Sequence, residues 1–277
     1  MKPRFKKVLA SMAGALALSL AASASYALPT LLTPDGALDP FGGFDWNQAG
    51  SSMVNGTIAN GQTITTQFMS NAIAVTRVGG GVFATPNMFP QNPAGSYEYT
   101  VFAQITETVS CINVGAVCGP NATFSATGGT YWIFFDPVAN SNLVTGVGVT
   151  DGTQIIRGSI TGGGGGFDLI ATPNGLGGIG SFAFTGTVDF TNATFVTALN
   201  GSTAGATLQF GALTTNWTQP TGFALFPPSG GTQPITGLLL QADANQTFTR
   251  LPEPGSLLLL STVLGGIGFA SRRKKAA

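Results

Sequence analysis

The residues of this chain that could do chemistry are few, and most of them carry only oxygen. The 277 residues include no histidine, and no lysine lies between Leu28 and Pro254. A Ser-His-Asp triad, a Cys-His pair or a Schiff-base lysine therefore cannot be assembled in that central part. Paired carboxylates, the arrangement that hydrolyses glycosidic bonds, are the catalytic machinery that this composition leaves open.

The two central glutamates do not form such a pair in the sequence pattern. The stretch from Tyr97 to Val109 alternates apolar and polar residues with the period of a strand. Glu98 and Glu107 differ in parity within it, so we expect them on opposite faces, roughly 30 Å apart. Nothing local shows aspartates converging from other strands, so we predict no catalytic residues and a protein that is not an enzyme.

Two further patterns suggest ligands only weakly. The run from Gly162 to Gly166 could cradle a phosphate, but Phe167-Asp168 follows where a phosphate loop needs Gly-Lys-Ser/Thr, so we predict a flexible hairpin tip. Asp136, Asn140 and Asn142 have the spacing of oxygen ligands for Ca²⁺, but no closing glutamate follows. We predict a plain Asn-rich turn there, and neither a metal nor a cofactor.

The large aromatic residues could stack on sugars. Trp132 lies within an apolar run and is expected in the core, as is usual for such a residue. Trp217, which has polar neighbours, is the candidate sugar contact.

Cys111 and Cys118 are the only cysteines. The export signals described below place both outside the cytoplasm, where a cysteine pair forms a disulfide more often than anything else. Two thiolates without histidine would leave half of a zinc tetrahedron unfilled. We therefore predict a disulfide.

Charge is distributed unevenly along the chain. The segment between Leu28 and Pro254 holds all eleven acidic residues but only Arg77, Arg157 and Arg250 as cations, which gives it a net charge near −8. Nucleic acids and anionic lipids are bound largely by lysine and arginine. A nucleic-acid partner is therefore excluded.

The N-terminus has the three parts of a signal peptide, which we place at 1–27. Four basic residues come first, and these are Lys2, Arg4, Lys6 and Lys7. An apolar stretch from Val8 to Leu20 and a small-x-small site at Ser25-Tyr26-Ala27 follow. We expect signal peptidase to cut between Ala27 and Leu28.

The C-terminus, 251–277, has the same kinds of segment in the reverse order: a short motif, an apolar stretch and a group of basic residues. Pro252, Glu253 and Pro254 cannot continue a helix and should stay extended. The uncharged segment 255–271 would reach roughly 25 Å as a helix, near the lower limit for crossing a bilayer. A basic stop follows, formed by Arg272, Arg273, Lys274 and Lys275. Basic residues outside both apolar segments keep both ends cytoplasmic and place everything between them outside.

This tail resembles a PEP-CTERM sorting domain. Pro252, Glu253 and Pro254 match the family motif, Leu257 to Phe269 match its apolar span, and Arg272 to Lys275 match its basic stop. The resemblance implies recognition by an exosortase, a membrane-embedded transpeptidase of Gram-negative bacteria that make exopolysaccharide. The Gram-positive LPxTG signal shares this layout, but it requires threonine where Pro254 stands.

The part that should carry the function is 28–250, which we predict to be one all-β domain. Alternating segments separated by Asn-Gly, Asp-Gly and proline-containing turns favour an antiparallel β-sandwich or jelly roll. The predicted strands are Thr63 to Phe68, Ala72 to Val78, Tyr97 to Val109, Thr130 to Phe135, Leu143 to Val149, Gln154 to Ile160, Phe182 to Phe190, Thr194 to Leu199, Thr207 to Leu213 and Gly237 to Gln241.

Together these features predict a protein exported through the inner membrane, anchored there transiently by its tail, and then found at the cell surface or in the extracellular matrix. We expect a non-catalytic role with exopolysaccharide in biofilm or floc formation, because the layout also looks like PEP-CTERM proteins associated with flocculation. The alternative is a carbohydrate-binding module with an aromatic sugar-stacking site.

Overall fold

The computed structural model describes residues 28–91, 96–111, 118, 121–172, 175–211, 217–227 and 231–250, and within 169–177 it describes only the backbone. Leu28–Arg250 forms one compact unit. The predicted signal peptide, 1–27, and the predicted tail with its span at 255–271 lie outside the described residues. No helix in the described part is long and apolar enough to cross a membrane.

The regular structure of the described residues consists of β-strands, which confirms the all-β prediction. They are β1 (Thr30–Thr33), β2 (Gly36–Leu38), β3 (Phe41–Trp46), β4 (Ser51–Asn55), β5 (Thr63–Arg77), β6 (Glu98–Ser110), β7 (Ala122–Asp136), β8 (Thr153–Thr172), β9 (Gly175–Thr191), β10 (Val196–Thr197), β11 (Thr203–Phe210), β12 (Phe223–Ala224), β13 (Thr232–Gln233) and β14 (Leu238–Thr249).

The main sheet closes on itself. Its strands follow the order β11-β9-β8-β7-β6-β5-β3-β14-β4, and β11 also pairs with β14. Strands β3 and β4 both lie between β5 and β14, one beyond the other, so together they occupy one position. The result is an antiparallel barrel of eight strand positions.

The predicted sandwich or jelly roll is therefore wrong. A sandwich and a barrel share the same alternation of buried and exposed residues, since both place one face of each strand against a core. The difference lies in the pairing of β11 with β14, which joins eight residue pairs from Thr203↔Thr249 to Phe210↔Ala242. No local pattern reports a contact over that sequence distance.

The barrel interior holds the main apolar core. The alternation from Tyr97 to Val109 gives β6 an inward face, since Tyr97, just before the strand, and Tyr99, Val101, Ala103 and Ile105 on it all belong to this core. Aromatic rings fill much of the space, and Phe44 packs with its ring centre 5.0 Å from that of Trp46 and 5.1 Å from that of Tyr99. Such pairs stabilise a core beyond the area that they bury.

A second apolar cluster lies on the outer wall of the barrel. Met69, Phe102 and Trp132 alternate with the inward residues of their strands, and they pack against Phe223 and Val149. The covering residues come from the segments after β7 and around β12. The predicted strand from Leu143 to Val149 is wrong, because this covering segment is irregular.

The glycine run from Gly162 to Gly166 lies inside β8, so the predicted hairpin tip is wrong. These residues pair with Ala183, Phe182 and other positions of β9. Close approach of the neighbouring backbone explains the composition: a Cβ on Gly165 would lie 2.0 Å from the carbonyl oxygen of Ser181. The glycines allow β7, β8 and β9 to approach closely. A run of glycines in the sequence does not distinguish this role from that of a loop.

This packing predicts different effects of alanine substitution at two adjacent glycines. We expect Gly165→Ala to lower the free energy of unfolding by about 2 kcal/mol or more, because its methyl group must displace backbone. Gly166→Ala should change it by less than about 1 kcal/mol, because a Cβ there meets nothing within 4 Å. Urea unfolding of both variants tests this, and equal effects would contradict the placement of the glycines within a packed strand.

Candidate functional site

The barrel interior is too small to hold a sugar. A cavity inside the barrel measures about 60 Å³ and is lined by Trp46, Phe68, Tyr131, Ala244 and Gln246 among others. That volume accommodates roughly two water molecules, whereas ligand pockets usually measure about 300 Å³ or more. A polysaccharide contact must therefore be sought on the outside of the barrel.

A carboxyl group nevertheless lies in the interior. Glu107 is 2% exposed and stands opposite Ile64 and Ala126 on the neighbouring strands. The hydroxyl of Thr66 donates to its Oε2, while no described group hydrogen-bonds to its Oε1. Burial raises the pKa of Glu107 to about 7, although the Thr66 hydrogen bond acts in the opposite direction.

Glu98, the other central glutamate, has a different environment. Its Oε1 accepts hydrogen bonds from the backbone N–H groups of Asn140 (2.8 Å) and Ser141 (2.7 Å), and the Ser141 hydroxyl donates to Oε2. Burial raises the pKa of Glu98 despite these donors. Glu98 therefore holds the loop after β7 in place, and it does not meet Glu107.

Two of the three side chains considered for Ca²⁺ have an oxygen atom that is engaged within its own turn. Asp136 Oδ1 accepts from the backbone N–H of Val138 at 2.9 Å. Asn142 Oδ1 accepts from the N–H groups of Val144 and Thr145 at 2.9 and 3.0 Å. These are local turn contacts of the kind that Asp and Asn side chains make. No three metal-binding His, Cys, Asp or Glu side chains converge within the described ranges.

The predicted disulfide is present between Cys111 and Cys118. It lies where β6 ends, at the barrel end that holds Glu107. Cys118 is also tied to the wall, because its backbone N–H donates to the carbonyl oxygen of Ile58 at 2.8 Å. The bridge and this hydrogen bond therefore hold Cys118 beside Ile58 and the end of β6.

The tryptophans divide between the core and the wall. Trp46 is 1% exposed and belongs to the interior core. Trp217, the predicted sugar contact, is half-buried, and its indole N–H donates to Ser51 Oγ at 3.1 Å. Trp132 is buried as predicted, but in the outer cluster and not in the barrel interior.

A row of side chains crosses the outer wall beside Trp132. The strand register places Phe102 beside Trp132, Trp132 beside Arg157, and Arg157 beside Phe190. Phe226, from the covering segment, packs edge-on against Trp132 with the ring centres 4.8 Å apart. We call Trp132, Arg157, Phe190 and Phe226 the aromatic–arginine row.

The two outer rings of this row are exposed to an unusual degree for phenylalanine. Phe226 is 40% exposed and Phe190 is 37% exposed, and Arg157 is exposed between them. The guanidinium carbon of Arg157 lies 6.0 Å from the Phe190 ring centre. Among the described carboxylates none forms an ion pair with Arg157. The arrangement can therefore stack on a flat apolar surface and donate hydrogen bonds to an anion at once.

A scan of protein-family models and searches of curated proteins and of solved structures find no match to this chain. The row is thus defined by geometry alone. Sequence reasoning missed it because its members come from four separate segments. Strand alternation would place Phe190 on the inward face with Phe184 and Val188, and only the register shift between Val188 and Phe190 turns its ring outward, so no sequence pattern pointed to the row.

Both ends of the described chain lie at the same end of the barrel. The backbone N–H of Phe41 donates to the carbonyl oxygen of Pro29 at 2.7 Å. The ring of Phe41 also packs against Phe248, near the end of β14, with the centres 5.6 Å apart. The disulfide and Glu107 lie at the opposite end, where β5 begins and β6 ends.

Glu107 should make stability depend on pH. Because its pKa is raised from 4.5 to about 7, the folded state retains a proton that the unfolded state releases, and this contribution is complete below pH 4.5 and lost as pH rises through 7. Between pH 4.5 and 8 the parent should lose about 3 kcal/mol of unfolding free energy relative to Glu107→Gln.

Chemical denaturation across this pH range measures the difference. The control is Asp151→Asn, which removes a carboxylate from an exposed position and should keep the pH dependence of the parent. An identical pH dependence in Glu107→Gln and the parent would show that Glu107 is not buried in an apolar environment.

Proposed function

We propose that this protein is an exported, non-catalytic component of the exopolysaccharide matrix, released from a transient inner-membrane anchor by an exosortase. Signal peptidase removes 1–27, and the tail at 251–277 serves as the sorting signal. The mature protein then resides at the surface of a Gram-negative cell or in the surrounding matrix, where it contributes to biofilm or floc formation.

The observation that carries the proposal is the Pro252-Glu253-Pro254 motif with its apolar span and basic stop. This order of features suits a segment that is read by an enzyme at the membrane surface. The charge distribution agrees with it, because eight of the eleven cations lie in the two segments that would be removed. What remains is acidic.

The geometry of the barrel is compatible with such an anchor. Pro29 and Phe248 both contact Phe41, so the segments that lead to the two apolar ends leave from one end of the barrel. The two described chain ends therefore lie close together, which is compatible with a precursor anchored at both termini.

A second function, carbohydrate binding by a discrete surface site, is favoured by the aromatic–arginine row. Its exposed rings could stack on the apolar face of a sugar, because an aromatic side chain presents a large apolar surface. Trp217 is the weaker candidate, since its N–H is already used by Ser51. The two functions are compatible, because a matrix protein needs a means of retention.

The tail predicts a defined mass for the native protein. Protein isolated from the host should begin at Leu28 and lack Arg272 to Lys275, and Glu253→Ala should retain the whole tail and remain with the inner membrane. Thr249→Ala, just before the motif, should be processed like the parent. Intact-mass spectrometry of the membrane, surface and matrix fractions measures this. Native material that keeps its basic terminus, or that is found in the cytosol, would contradict the proposal.

A further inference from the structure

We propose that the aromatic–arginine row binds the uronic acid units of an acidic polysaccharide. Arg157 pairs with the sugar carboxylate while Phe190 and Phe226 contact the apolar faces of the pyranose rings. This inference rests on the proposed function, since it names the class of polymer that the matrix protein would hold.

The positions of the side chains suit an extended chain of sugars. Neighbouring strands lie about 4.8 Å apart, so Trp132 and Phe190 are separated by about 10 Å with Arg157 between them. Phe226 stands over Trp132 at 4.8 Å. An elongated ligand that crosses the strands would therefore meet one ring, the guanidinium and the second ring in turn.

The Phe226 ring is held in place before any ligand arrives. Phe226 makes edge-on contacts with both Trp132 and Phe102, at 4.8 and 6.2 Å between ring centres. Phe102 is itself fully buried. Binding would therefore cost little ordering of this ring, which favours affinity.

Charge selects a carboxylated sugar over a neutral one. Arginine presents a planar fork of donors that matches the two oxygens of a carboxylate. The overall charge near −8 disfavours polyanions in general. Binding must therefore come from Arg157 and the rings at close range, while repulsion from carboxylates more than about 8 Å away is largely screened at physiological ionic strength. Asp189 is next to Phe190 in the chain. Both oxygens of its carboxylate are already engaged, because they accept hydrogen bonds from Ser159 (2.5 Å) and Thr187 (2.8 Å).

Arg77 is the competing cation, and its surroundings are less suitable. Its guanidinium carbon lies 3.9 Å from the centre of the Phe83 ring, so one face of the group is already covered. A surface hollow beside it reaches Thr249, the last residue of β14. This makes Arg77 a matched control, since its removal changes the net charge by the same amount.

The experiment is calorimetric titration of the full chain in detergent with tetragalacturonate and with its fully methyl-esterified form, at 150 mM NaCl. We expect Arg157→Gln to weaken tetragalacturonate binding at least tenfold, Phe190→Ala to weaken it severalfold, and Arg77→Gln to leave it within twofold of the parent. Esterification should weaken binding to the parent by as much as Arg157→Gln does. Unchanged melting temperatures confirm that the variants are folded. If Arg157→Gln does not fold, Phe190→Ala still tests the site.

Three results would overturn the inference: no binding by the parent, equal losses in Arg157→Gln and Arg77→Gln, or equal affinity for the esterified ligand. Fractionation of host cells separates this failure from that of the proposed function. A parent that does not bind tetragalacturonate but is recovered from the matrix leaves the proposed function intact and removes only the uronate site. A parent absent from the surface and matrix removes the proposed function itself.

Discussion

The pairing of β11 with β14 is the constraint on which the structure depends. It pairs Thr203, where β11 begins, with Thr249, where β14 ends, and continues to Phe210 and Ala242. This pairing turns an open sheet into a barrel. Without it, two long strand edges would expose unpaired backbone groups to other chains. With it, the inward faces of all the wall strands meet around one aromatic core. Closure therefore provides both the stability of the domain and its protection from edge-to-edge association.

Closure also separates the surfaces to which we assign functions. The contacts of Phe41 with Pro29 and Phe248 bring both chain ends to one end of the barrel. Glu107 and the disulfide occupy the other end, and the aromatic–arginine row lies on the wall between them. A small interior packed with rings leaves no room for a ligand, so recognition is confined to the outside. The anchoring and the binding that we propose would then involve different parts of the barrel.

The sequence predicted those features that depend on local pattern. The alternation from Tyr97 to Val109 correctly indicated a strand with its inward face, and the two cysteines correctly indicated their disulfide. The barrel was missed because closure joins distant segments with no local trace. The glycines of β8 were read as a tip because glycine marks both loops and close strand approach. The row at Arg157 was missed because its parts become neighbours only through strand register.

Hydrogen exchange tests the closure most directly. In a closed barrel, the paired amides of β11 and β14, from Thr203↔Thr249 to Phe210↔Ala242, should exchange as slowly as those between β6 and β7, because all open only with the wall as a whole. Site-resolved exchange by NMR measures both sets in the same sample. Exchange at β11 and β14 that is faster by several orders of magnitude, as at a free sheet edge, would contradict a closed barrel and the separation of surfaces that follows from it.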